Sequence, residues 1–251
     1  MSSRNLLMTT SALFALGAGI AFGGGVVRAG EATTPAAEAA YDAPVSLTFR
    51  FKRHIDDDLA EQDVLIEREP GSGEVFRPTK GDRDLSLPLY AAAEPLAHEP
   101  FDETANGPWP KGQPLGLTLG EWLDAKGEAQ YSCADGAGHL SVDFTGLVPD
   151  GVYTMWHFFM ASPPTTPFIG TYDLPVGKRD GTQSVFTADD DGNATFNAAF
   201  KPCLQLTGEH LFAGLAIAWH SDGKTYGALP GDFAEVAHVH LYAALPKRSG
   251  I

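Results

Sequence analysis

The chain has 251 residues, and its 32 acidic side chains outnumber its 17 basic ones to leave a formal net charge of −15 at pH 7. A surface so acidic lacks the basic footprint that nucleic acid and anionic membranes require, and it suits an exported protein that must stay dispersed. With 28 Gly and 18 Pro the chain is interrupted too often for a mainly helical fold.

The amino terminus, MSSRNLLMTTSALFALGAGIAFGGGVVRAGEA, sets Arg4 ahead of a charge-free run over 6–27, followed by small residues at Val27-Arg28-Ala29 and Gly30-Glu31-Ala32. Basic, apolar and small-residue regions in that order predict a signal peptide over 1–29, and hence a periplasmic or secreted protein that leaves the membrane after cleavage. The apolar run is also long enough for an uncleaved anchor, although its glycines and threonines make a weak spanning helix. Residues 30–43 are small, polar and Pro-containing and read as a disordered leader. About 200 residues remain, enough for one domain with a real core over 44–246, with 247–251 as a tail.

From 44 to 114 the chain is charged and Pro-rich. It offers strands at 45–53 and 63–69, an acidic run at Asp56, Asp57 and Asp58, and the irregular stretch AHEPFDETANGPWPKGQP. This region has too little apolar content to stand alone, so the expectation is that it adds one or two strands and then wraps across a sheet face. From 115 to 246 the pattern is regular. LTLGEWLDA at 117–125 predicts one short helix capped by Thr118, with Trp122 and Leu123 turned inward. Period-two alternation then predicts strands at 130–133, 139–144, 152–160, 184–188, 194–200, 215–220 and 236–244, with a hairpin tip at Gly192. The fold class expected is all-β: an antiparallel β-sandwich, jelly-roll or Ig-like.

Cys133 and Cys203 are the only cysteines. In an exported chain with neither CxxC nor CxxH they are expected to form a disulfide.

The stretch GLVPDGVYTMWHFF, together with AWHSDGKTYGALPGDF, resembles segments of secreted bacterial proteins of unassigned function, over roughly the second half of the chain. That resemblance implies no activity and no catalytic residues. A Gly-Leu-x-Pro turn and a His-Val-His triplet also resemble copper/zinc superoxide dismutase. In that family the turn leads straight into the triplet, whereas here Gly146 to Pro149 and His238 to His240 lie far apart, and the remaining ligand pattern is missing.

The histidines carry the candidate chemistry. Side chains two apart on a strand share a face. In AEVAHVHLYAALP the apolar row Ala237, Val239, Leu241, Ala243 is expected to face the core, leaving His238, His240 and Tyr242 on the other side. By the same parity His220 and His139 face away from the core. On 152–160 the row Val152, Trp156, Phe158, Met160 is taken as the core face, with Tyr153, Met155, His157 and Phe159 opposite. If these strands are neighbours, His238 and His240 anchor a copper or zinc site, joined by His220 and His157, with Met155 as a soft axial group. The competing reading makes these histidines hydrogen-bonded polar groups beneath a cover supplied by 90–114, with Phe101 and Trp109. His54, His98 and His210 read as surface residues.

There is no GxSxG, HExxH, P-loop or strand-linked GxGxxG, and no carboxylate pair stands out. The sequence therefore leans away from an enzyme. It favours an exported binding module for a small ligand or a protein, with a copper- or zinc-binding protein as the alternative.

Overall fold

The structure, a computed structural model, describes residues 44–59 and 62–247. The expected signal peptide and leader, and the tail beyond residue 247, lie outside the described residues.

The fold is nearly all antiparallel sheet, as the alternation and the density of Gly and Pro require. One sheet, A, has the order β1-β6-β7-β11, built from β1 (Val45–Phe51), β6 (Lys126–Ala134), β7 (Ala137–Thr145) and β11 (Ala194–Phe200). The second, B, has the order β10-β8-β12-β13, from β8 (Val152–Ala161), β10 (Val185–Thr187), β12 (Leu211–His220) and β13 (Ala237–Ala244). The short β9 (Tyr172–Pro175) also pairs with β8, beyond the reach of β10. A small third sheet, β2-β4-β5-β3, is made from β2 (Leu65–Ile66), β3 (Glu74–Val75), β4 (Pro88–Ala92) and β5 (Trp109–Thr118).

The strands of sheet A alternate cleanly. On β6 and β7 every second residue is buried, among them Ala129, Tyr131, Leu140, Val142 and Phe144. The opposite face, with Ser132, Gln130, His139 and Asn197, meets solvent. The inner row packs on Tyr153, Met155, Leu215, Ile217, Trp219 and Leu241 of sheet B, forming the main core of the sandwich. Helix α1 (Leu119–Leu123) closes one end of that core with Trp122. It starts as expected at Thr118, whose hydroxyl accepts from the Glu121 amide while the Glu121 carboxylate accepts from the Thr118 amide. The Cys133–Cys203 disulfide is formed and ties β6 to the segment that follows β11.

Sheet B differs from sheet A, because both of its faces are covered. All ten residues of β12 are buried or nearly so, and so are the first seven of β13. The expected faces need correcting on two strands. On β8 the inner row is Tyr153, Met155 and Phe159, not Trp156, Phe158 and Met160, which lie on the outer side. On β13 the expected row Ala237, Val239, Leu241, Ala243 is broken. The β12–β13 register shifts between Ile217 and Ala218, so that Ile217 faces Leu241 while Ala218 faces Val239, and His240 is the extra residue. A bulge of this kind resets parity. Leu241 and Ala243 point into the main core, whereas Val239 and Tyr242 pack with Ala216 on the outer face. His238 and His240 do share a side, but it is the interior one.

Among the described residues no helix is long and apolar enough to cross a membrane.

Candidate functional site

The outer face of sheet B is where sequence and topology together leave space. Central strand β12 presents Phe212, Gly214, Ala216 and Ala218 on this side. Large residues stand on the flanking strands: Trp156 and Phe158 opposite Ala216 and Gly214 on β8, Val239 and Tyr242 opposite Ala218 and Ala216 on β13. Small residues between two large rows make a trough. Gly214 is required for it, since a Cβ there would collide with the Phe158 ring.

Three segments roof the trough. The first is the 3-10 turn His54–Asp57 with Leu59 behind it, the second is 98–101, and the third is the loop through Pro230 and Phe233. Between floor and roof lies a cavity of about 210 Å³. An apolar cavity of about 150 Å³ accommodates benzene, so this one has room for one ring and a few further atoms.

The roof is fastened by a buried cation. Arg77 is 1% exposed, and its guanidinium donates to the Ala97 carbonyl at 2.9 Å and the Ala105 carbonyl at 2.5 Å. Its own amide donates to the Asn106 carbonyl at 2.9 Å. Those contacts hold both ends of a strap that carries His98, Pro100 and Phe101 over the cavity. The Leu96 amide donates to the Phe233 carbonyl at 3.1 Å, joining strap to loop. Phe101 packs edge-on against Phe168, and Ile169, next to it in the chain, and Leu229, next to the lining Pro230, are exposed.

Polar groups on the cavity wall are few. The Tyr242 hydroxyl donates to Asp57 and the ring lies 4.8 Å from that of His54. Burial, and then the neighbouring Asp57 carboxylate, raises the Tyr242 phenol and keeps it un-ionised. On β9, Asp173 accepts a hydrogen bond from the Thr171 hydroxyl at 2.9 Å.

No family model, curated protein or solved structure matches the chain.

The four histidines singled out from the sequence lie elsewhere, and each has its own partners. The His240 Nε2 is 2.8 Å from the Trp122 carbonyl, an acceptor only, so that nitrogen carries the proton. Its Nδ1 then accepts from the Tyr153 hydroxyl at 3.0 Å, while the Tyr153 oxygen accepts from the Val148 amide at 2.9 Å. The His240 ring stacks on Trp122 at 3.6 Å. His238 is held the same way round the other nitrogen. Its Nδ1 donates to the Asp63 carbonyl at 2.6 Å and its Nε2 accepts from the Ser221 hydroxyl at 2.9 Å. His157 donates Nε2–H to the Gln205 carbonyl at 3.1 Å. His220 lies on the outer side, its Nε2 2.8 Å from the Thr154 hydroxyl, which also accepts from the Trp156 indole.

Burial pushes His157 and His238 down to about 4 and His240 to about 3, and it lowers His220 as well. His157, His238 and His240 are neutral imidazoles hydrogen-bonded in the interior, whereas the buried Nδ1 of His220 has no hydrogen-bond partner among the described residues. A metal needs the lone pair that His240 already offers to Tyr153 and His238 to Ser221. The four rings do not converge, and among the described residues no group of three or more His, Cys, Asp or Glu is arranged to hold a metal ion. Met155 is fully buried in the main core.

The cavity residues themselves were missed by strand parity, yet a signal for them exists. In VYTMWHFFM both parities are apolar, the mark of a strand covered on both faces, and LFAGLAIAWH sets small residues at every second position of one row. The expected cover from 90–114 divides: Phe101 joins the roof, whereas Trp109 lies on β5 and packs with Leu65 and Val75.

Proposed function

We propose that this chain is an exported binding protein whose ligand is a small, largely apolar molecule seated between the outer face of sheet B and the 97–105 strap. The observation that carries the reading is the cavity itself. Pockets that take small molecules are concave, mostly apolar and furnished with a few convergent polar groups, and this one is lined by Trp156, Phe158, Phe212, Ala216, Val239 and Phe233, with Thr171 and Asp173 at one side.

Export is part of the same proposal. It is supported by the signal-like amino terminus and by the disulfide, which persists in an oxidising compartment.

The test is to fill the space. In an Ala216→Leu variant the added carbons enter the cavity from its floor. Isothermal titration with 2-phenylethanol is expected to show binding to the native chain, and at least a tenfold loss, about 1.4 kcal/mol, in the variant. The melting temperature of the variant should be unchanged or raised. Equal binding by both proteins would place the ligand elsewhere and overturn the assignment.

A further inference from the structure

The charge pattern of the pocket specifies more than apolarity, provided that the pocket is the ligand site proposed above. Six aromatic side chains line it: Phe101, Trp156, Phe158, Phe212, Phe233 and Tyr242. None of the described lining residues is Lys or Arg. Of its titratable groups, His54 and His98 are imidazoles and Tyr242 is a phenol kept neutral, which leaves Asp173 as the one carboxylate among the described lining residues. The Tyr242 O–H donates its hydrogen bond to Asp57, so the lone pairs of its oxygen are what it offers to the cavity. Asp173 is half-buried on β9 and oriented by the Thr171 hydroxyl, and the chain as a whole carries −15.

From this we infer that the ligand is a small organic cation, an arylalkyl amine whose ring lies on the small residues of β12 and whose ammonium points to Asp173. Each component of the site favours that chemistry. Aromatic faces attract a cation through their quadrupoles, more strongly once water is excluded. A carboxylate supplies a charge-assisted acceptor for N⁺–H. An anionic ligand of the same shape meets a carboxylate and no lining Lys or Arg to compensate it, so its desolvation goes unrewarded. The volume sets the size, one ring with a two- or three-atom arm.

The experiment uses three probes of one shape on the full chain at pH 7.5: 2-phenylethylamine, 2-phenylethanol and 3-phenylpropanoate, each by isothermal titration. The amine is expected to bind about tenfold tighter than the alcohol, with the propanoate weakest. In Asp173→Asn, where the amide oxygen still accepts from Thr171, the alcohol should bind as before and the preference for the amine should disappear. Equal affinity for amine and alcohol in the native chain, or a preference that survives Asp173→Asn, overturns the cation assignment and leaves the pocket standing. Absence of heat from all three removes the pocket reading and the cation with it. The native three-probe comparison decides the matter even if the variant fails to fold.

Discussion

Acid should unfold this protein well above the pH at which its carboxylates titrate, because sheet B buries neutral imidazoles. His157 and His238 are held near 4 and His240 near 3, in each case by burial, against about 6.5 in an unfolded chain. The unfolded state therefore binds more protons than the native one throughout the window between these values. Stability is fully present above about pH 6.5 and is lost as pH falls toward 4. Between pH 7 and pH 5 each of the three imidazoles removes about 2 kcal/mol, so together they remove about 5 to 6 kcal/mol. That is comparable with the whole stability of many domains, about 5 to 15 kcal/mol. Carboxylates add little in this range. Glu121, for example, is held low by the Thr118 amide and hydroxyl and matters only below its ordinary value. Urea denaturation followed by tryptophan fluorescence at half-unit steps of pH should show a steady decline, and the melting temperature should fall by about 10 to 20 °C. His157→Gln, whose amide can still donate to Gln205, should flatten the decline by about a third. A stability constant to within about 1 kcal/mol between pH 7 and pH 5 would refute the burial of three neutral imidazoles.

The disulfide, the strap and the trough floor can each be perturbed separately. Replacing Cys133 and Cys203 by Ser opens a loop spanning 70 residues and should cost about 4 kcal/mol, read as a lower denaturation midpoint; an unchanged midpoint would mean that the bridge contributes nothing to stability. Arg77→Met leaves the Ala97 and Ala105 carbonyls without their donor, so stability should drop by about 2 to 3 kcal/mol and 2-phenylethanol should bind more weakly. Unchanged affinity would show that the strap does not shape the cavity. Gly214→Ala drives a methyl group into the Phe158 ring and should cost about 1 to 3 kcal/mol while displacing that ring into the cavity, with a loss of probe binding by titration.

The regular parts of the fold are legible in the sequence because alternation has a single answer where one face is wet. Strands β6, β7 and β11 are of this kind, and their inner and outer residues fall as alternation requires. Strand β8 is not, since VYTMWHFFM is apolar at both parities and nothing local chooses which row meets sheet A. The bulge at His240 is set by the β12–β13 register, a partner relation that AHVHLYAA does not encode by itself. Strands β4, β5 and β9 carry Pro88, Pro110, Pro114 and Pro175, residues that argue against a central strand. In the fold the pairing of β4 with β5 accommodates Pro88 and Pro114 through two register shifts. The histidine pair was visible as a pair, but two side chains on one face are a metal site only if a third ligand arrives. Here Tyr153, Trp122, Ser221 and Asp63 arrive instead.

The most direct test of the binding claim is to watch the cavity floor by NMR while 2-phenylethanol is added to the native chain. Methyl resonances of Ala216, Ala218 and Val239, together with the Trp156 indole, should shift in a saturable, concentration-dependent way, while those of Ala129, Val142 and Leu140 in the main core and Ala199 on the polar face of sheet A stay in place. Shifts confined to residues outside the trough, or none at saturating probe, would contradict the account.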